Sequence, residues 1–171
     1  MAYVFDDHDF GSNNADSTAA SNPKANAAYR SMVRSLPRQS GVYHSFTTNN
    51  IKFIILDGRT FKSQTQNFGE EQVEWLKNEL SEADESREIE LVVMVLSWPW
   101  KSKREWVSKL GEDGTTSMKK ERQQISNHIS SLSFNKQKGS KTLVMISGDL
   151  HMMAYDHGGS ASNPFGEFPL F

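Results

Sequence analysis

The sequence contains no cysteine among its 171 residues. This absence excludes disulfide bonds, thiolate zinc sites, iron–sulfur clusters and cysteine nucleophiles. A bound metal would therefore need carboxylate, imidazole, amide or carbonyl ligands. The cellular compartment stays open, because proteins without cysteine occur in both reducing and oxidising surroundings.

Long runs of one charge and long apolar runs are also missing. Lys and Arg number 19 against 21 Asp and Glu, which gives a formal charge of −2 and no basic surface of the kind that binds nucleic acid. The longest apolar run, 91–96, is far shorter than the ~20 residues of a membrane span, and no signal-peptide pattern is visible. We expect no nucleic-acid-binding patch and no membrane span, and the sequence leaves localisation and oligomeric state open.

The pattern of apolar residues predicts one layered α/β domain over residues 1–171. Helices are predicted at 22–36, 69–83 and 117–132, and strands at 42–48, 51–57, 91–97 and 142–147. In the last helix, the pattern places Met118, Ile125, Ile129 and Leu132 inside and residues 119–122 mostly outside.

The two ends of the sequence are unusually apolar. Tyr3-Val4-Phe5 is typical of the end of a buried strand, and the chain stops on Leu170-Phe171. Large apolar residues at a terminus would normally be covered by further chain. We therefore expect a fragment of a larger domain, truncated at both ends.

Acidic residues follow three of the predicted strands. Asp6-Asp7-His8-Asp9 follows the first, Asp57 follows the hairpin, and Asp149 with His151 follows the last. Ligands of layered α/β proteins bind at the carboxyl ends of strands, so these groups should meet if the strands are neighbours. Carboxylate with imidazole is a ligand set suited to iron, zinc, manganese and, through the oxygens, calcium.

Each acidic motif also has a purely structural interpretation. Residues 6–9 could form a solvated turn, and residues 148–151 could be a loop glycine beside hydrogen-bonded side chains. If residues 149–151 are extended, Asp149 and His151 lie on the same side of the chain, and both could then reach one metal. His44 and His128 are predicted to be packing or surface residues.

Five short motifs resemble, in their order along the chain, the PhoD-like (alkaline phosphatase D) metallophosphatase family of the calcineurin-like superfamily. They are DDHDFGSNN at 6–14, GVYHSF at 41–46, LDGR at 56–59, QVEWL at 72–76 and SGDLHM at 147–152. The resemblance implies a partial calcineurin-like sandwich of two β-sheets flanked by helices, with the amino-terminal half absent. The chain would then be the carboxyl-terminal portion of such a domain.

The same resemblance implies roles for individual residues. Asp7, Asp149 and His151 would be metal ligands, His8 would be the active-site histidine, and Asp9 would orient His8. Calcium and iron are the implied metals, with zinc or manganese as alternatives, and the implied substrate is a phosphate ester.

Two departures from the family pattern bear on function. Gly58 stands where the family usually has threonine, and no Gly-Asp segment precedes Asp6 to supply further ligands. The sequence therefore predicts a metal-dependent phosphoric ester hydrolase, a phosphatase or phosphodiesterase. The alternative is an inactive metal- or partner-binding fragment that lacks the upstream ligands. Arg59 could either position a phosphate or pair with an acidic side chain.

Overall fold

The computed structural model describes residues 3–33, 36, 40–100, 119–136, 140–149, 155 and 169, which form a mixed α/β structure as predicted. The helices are α1 (Asp7–Phe10), α2 (Asn22–Met32), α3 (Gly69–Glu85) and α4 (Lys119–Ser131). The strands are β1 (His44–Thr48), β2 (Ile51–Ile55), β3 (Leu91–Leu96) and β4 (Thr142–Ser147). Within these ranges no helix has both the length and the apolar character needed to cross a membrane.

The strands form one sheet in the order β1-β2-β3-β4. β1 and β2 make the predicted antiparallel hairpin, and Asn49 adopts the left-handed conformation in its turn, with φ of 53°. β2, β3 and β4 are parallel to one another. Their carboxyl ends therefore lie at one edge of the sheet, where the acidic motifs were predicted to meet.

Helices α3 and α4 cover one face of this sheet. Helical spacing brings Val73, Leu76, Leu80 and Ala83 of α3 to the same side, and all four are buried. In α4, Ile125 and Ile129 are buried as predicted. Leu132, directly after the helix, is partly buried, and Met118 lies outside the described residues. The apolar core lies between these helices and the sheet, and it includes the strand residues Ile54, Val92, Met94, Leu96, Leu143 and Met145.

The prediction that residues 119–122 lie mostly outside is wrong for Glu121 and Arg122, which are buried. The Glu121 carboxylate accepts hydrogen bonds from the backbone N–H groups of Asn67 (2.7 Å) and Gly69 (2.8 Å) at the start of α3. The Arg122 guanidinium donates to the carbonyl of Trp100 at 2.7 Å. Backbone partners make the burial of these charged groups acceptable, and polarity patterns do not reveal such partners.

The first described residues also differ from expectation. Tyr3 to Phe5 are not part of a strand, although Phe5 is buried as predicted. Its ring lies 5.3 Å from that of Phe10 and 5.2 Å from that of Tyr29. Helix α2 ends at Met32 rather than near Leu36, because the backbone becomes extended at Val33 and buries that side chain in the same aromatic cluster.

Candidate metal centre

Three carboxylates from two distant parts of the chain converge at the carboxyl edge of the sheet. Asp6, Asp7 and Asp149 each offer an oxygen atom, and these atoms lie within 4.8 Å of one another. The convergence of Asp7 and Asp149 follows the sequence-based expectation, whereas Asp6 had not been singled out as a ligand. Three negative charges at this spacing repel by a few kcal/mol per pair at an effective dielectric constant near 20, so the cluster favours cations.

Asp7 is buried and held by the backbone around it. Its Oδ1 accepts a hydrogen bond from the N–H of His8 at 2.8 Å, and its Oδ2 accepts one from the N–H of Asn14 at 2.6 Å. Burial raises the pKa of this carboxyl, but the hydrogen bond from Asn14, the charge of Arg59 and the contacts with His8 outweigh it. The net effect is a pKa below the ordinary value of 3.8. Asp7 is therefore an anion at neutral pH.

Asp6 is held by side chains from two other segments, the loop after β2 and the end of β3. Arg59 donates from Nε to Asp6 Oδ1 at 2.8 Å and from Nη2 to the same oxygen, and Ser97 donates from Oγ at 2.9 Å. The Arg59 side chain is fully buried. Of the two roles that the sequence left open for Arg59, pairing with an acidic side chain is the one seen here.

Asp149 lies two residues beyond the end of β4. The N–H of the preceding Gly148 donates to the carbonyl oxygen of Ser97 at 3.1 Å, which fixes the end of the strand. Asp149 then adopts a left-handed conformation with φ of 71°, which turns the chain at this point. His151, the other predicted ligand of this motif, lies outside the described residues.

His8 is exposed beside the cluster, in the first turn after Asp7. Asp9, which was predicted to orient His8, accepts a hydrogen bond at Oδ2 from the N–H of Asp6 at 3.1 Å. Burial and a hydrogen bond to Asp9 raise the pKa of Tyr3 to about 12. Neither of these partners is the imidazole of His8, so the contacts of Asp9 hold the acidic turn as a whole.

Asp57 does not join the cluster, contrary to the expectation that all three acidic strand ends meet. Its buried carboxylate instead accepts hydrogen bonds from the backbone N–H groups of Val42 (2.9 Å), Arg59 (3.1 Å) and Thr60 (3.0 Å). These bonds shape the loop after β2. In sequence alone, an acidic residue after a strand looks the same whether it holds a metal or a loop.

The histidines predicted to serve packing do so. His44 is buried, its Nδ1 lies 3.0 Å from the carbonyl oxygen of Val42, and burial lowers its pKa below 6.5. His128 of α4 contacts α3, with Nε2 at 3.0 Å from the hydroxyl of Ser81 and 2.9 Å from the carbonyl oxygen of Lys77.

The donor set fits a metal ion. Carboxylate oxygens are hard ligands that suit calcium and manganese, and they are compatible with zinc and iron. The arrangement therefore combines an anionic cluster with an exposed histidine, His8, next to Asp7 in the chain.

Comparison with known proteins identifies the fold and the family. The chain resembles a solved structure of PhoD with a TM-score of 0.66 at 19% sequence identity, over 96% of this chain and 38% of that one. The likeness confirms the predicted partial fold, and the chain spans 38% of the length of that PhoD structure. No curated protein sequence matches significantly. A family model described as PhoD-like phosphatase matches residues 1–168, and the chain therefore belongs to the PhoD-like phosphatase family.

Proposed function

We propose that this chain is part of a metal-dependent phosphoric ester hydrolase whose metal centre includes Asp6, Asp7 and Asp149. The main support is the convergence of their carboxylate oxygens within 4.8 Å, although the residues come from distant parts of the chain. Membership of a phosphatase family supports the choice of phosphate esters as substrates. His151 remains a proposed further ligand by its place in the SGDLHM motif.

The three carboxylates would hold the metal ion or ions, with calcium, iron, zinc and manganese as the candidates. Such ions supply Lewis-acid chemistry, since they activate water for attack on phosphorus and neutralise charge on the phosphoryl oxygens. The low pKa of Asp7 keeps this ligand anionic throughout the neutral range. The buried Arg59 is committed to Asp6 and therefore supports the ligand set rather than contacting the phosphate directly.

His8 is the proposed general acid. Its side chain is exposed, and the charge of His8 is among the causes that lower the pKa of Asp7. An imidazole in that place can give a proton to the leaving alkoxide as the P–O bond breaks. Asp9 supports this geometry by accepting a hydrogen bond from the backbone N–H of Asp6, in the turn that carries His8.

Hydrolysis of nitrophenyl phosphate and its diester, with calcium plus iron, zinc or manganese added, tests this proposal. We expect turnover that falls by at least about 100-fold in Asp149→Asn and in His8→Ala, because the first removes a ligand charge and the second the proton donor. Asp16→Asn is the matched control. Asp16 lies in the same segment but bonds Thr18, at 2.6 Å, and a neutral amide oxygen can also accept that bond.

Two results would contradict the hydrolase proposal. Turnover that survives both Asp149→Asn and His8→Ala would place the chemistry elsewhere. Metal uptake that Asp149→Asn abolishes, without turnover of either ester by the wild-type chain, would favour the inactive metal-binding alternative. This chain covers 38% of the length of the PhoD structure, so the second outcome would apply to this chain and not to a full-length PhoD-like protein.

A further inference from the structure

Ser97 contacts both of the acidic segments that form the cluster. It lies directly after β3, is buried, and donates from Oγ to Asp6 Oδ1 at 2.9 Å. Its backbone carbonyl oxygen accepts a hydrogen bond from the N–H of Gly148, at 3.1 Å, next to Asp149. One residue, directly after β3, therefore connects the turn of Asp6 and Asp7 to the turn of Asp149.

The connection to Gly148 depends on close approach. A Cβ atom at position 148 would lie 3.2 Å from the carbonyl oxygen of Ser97, which is tighter than most real contacts of that kind. Glycine avoids this contact and lets β4 end against Ser97. The hydrogen bond from Gly148 therefore fixes the backbone directly before Asp149, which adopts the left-handed conformation.

Arg59 approaches the cluster from the loop after β2. Two nitrogens of its guanidinium, Nε and Nη2, donate to the same oxygen of Asp6 that accepts the bond from Ser97. Its own backbone N–H is held by Asp57 Oδ1 at 3.1 Å. A buried, oriented guanidinium thus offsets one of the three carboxylate charges.

We propose that Ser97 and Arg59 are positioning residues of the metal centre. Together they fix the Asp6 carboxylate between the two acidic turns and set the charge of the cluster to suit a divalent cation. This inference rests on the proposed function, because it assigns the two residues a role toward the metal. If Ser97 and Arg59 served only packing, their substitution would lower stability and leave metal affinity unchanged. A positioning role predicts that the loss of metal affinity exceeds the loss of stability.

The first test is calorimetric titration of the full 171-residue chain with Mn²⁺, beside thermal unfolding of the metal-free protein. Ser97→Ala removes the hydroxyl and keeps the carbonyl that holds Gly148. We expect Mn²⁺ to bind Ser97→Ala about tenfold more weakly, as is usual when an outer partner of a metal ligand is removed.

Ser45→Ala is the matched control for this variant. Ser45 of β1 donates to a carboxylate in the same way, to Glu79 Oε2 at 2.7 Å, but at a site away from the cluster. We expect the two serine variants to lower the melting temperature by similar amounts, while Ser45→Ala binds Mn²⁺ as the wild type does.

Arg59 is tested by a conservative and a neutral variant. Arg59→Lys keeps the charge with a single-point contact, and we expect it to bind Mn²⁺ more tightly than Arg59→Gln. The control is Arg122→Gln, which removes another buried guanidinium, one that donates to the carbonyl of Trp100 instead of a carboxylate. We expect Mn²⁺ affinity to be retained in this control.

The outcomes separate the positioning roles from the metal centre itself. Wild-type binding that Asp149→Asn abolishes, together with unchanged affinity in Ser97→Ala, would overturn the role of Ser97 and leave the metal centre standing. Equal affinity in Arg59→Lys and Arg59→Gln would likewise overturn the role of Arg59. No saturable Mn²⁺ binding by the wild-type chain would overturn both the metal centre and this inference.

Discussion

The helix-covered face of the sheet and its acidic edge are stabilised in different ways. The covered face is a continuous apolar core in which residues such as Leu80 and Met94 are fully buried among many apolar neighbours. The acidic edge depends on a few directed bonds, chiefly those from Arg59 and Ser97 to Asp6. The core should therefore determine stability, and the edge should determine what the protein binds.

Truncating the core should give the largest loss of stability. Leu80→Ala leaves a cavity beneath α3 and should lower the free energy of unfolding by about 2–5 kcal/mol, measured by urea denaturation. Leu132→Ala, at a partly buried position of the same core, should cost less. Equal losses in the two variants, or weakened Mn²⁺ binding by folded Leu80→Ala, would contradict the division between core and edge.

Gly58 lies where the two regions meet, and a side chain there should be the next most costly change. A Cβ atom at this position would lie 2.2 Å from Nε1 of Trp98, a core residue, so the indole would have to move. Gly58→Ala should cost about 1–3 kcal/mol, measured by urea denaturation, and Gly58→Thr should cost more.

The double variant Gly58→Ala with Trp98→Phe checks this cause. It should be more stable than the sum of the single variants predicts, because the smaller ring leaves room for the methyl group. Within the part of the chain that the structure describes, Trp98 Nε1 has no hydrogen-bond partner, so its removal breaks no bond seen there. Strictly additive effects would contradict the steric explanation.

The buried Glu121 shows that the core side also contains a charged contact, with a smaller expected effect. Glu121→Gln removes the negative charge that faces the N–H groups at the start of α3. It should lower the free energy of unfolding by about 1 kcal/mol, measured by thermal denaturation. The control is Glu70→Gln, at an exposed position in the first turn of α3. It should lower the free energy of unfolding by only a few tenths of a kcal/mol. A larger loss in the control would refute the capping role.

The smallest expected effect is on the dependence of stability on pH. Burial lowers the pKa of His44 below 6.5, so below that pH the unfolded chain binds a proton that the folded chain refuses. Stability should therefore fall as the pH drops from 6.5 toward the lower folded-state pKa. His44→Asn should show a flatter profile in melting temperatures measured across this range. An unchanged profile would show that His44 does not contribute.

The fold was predictable where it depends on apolar periodicity. The strand 142–147, the hairpin around Asn49 and the buried face of α3 follow from patterns that the sequence displays directly. The alternation of helices and strands predicted a layered α/β domain, whereas the parallel pairing of β2, β3 and β4 was seen only in the structure.

The contacts that hold the site were not predictable in the same way. Arg59, Ser97 and Asp6 lie in three separate connecting segments, and nothing periodic in the sequence shows that they touch. The predictions that Asp57 joins the cluster and that Glu121 lies outside were wrong for a related reason. Backbone N–H groups satisfy both carboxylates, and the sequence does not reveal where those groups point.

A Mn²⁺ soak of crystals of the 171-residue chain, read by anomalous diffraction, would test the central claim most directly. The account predicts an anomalous peak within coordination distance of both the Asp7 and the Asp149 carboxylates, and no such peak in crystals of Asp149→Asn. A peak that touches only one of the two turns, or none at the cluster when Mn²⁺ is in large excess, would contradict a shared metal centre.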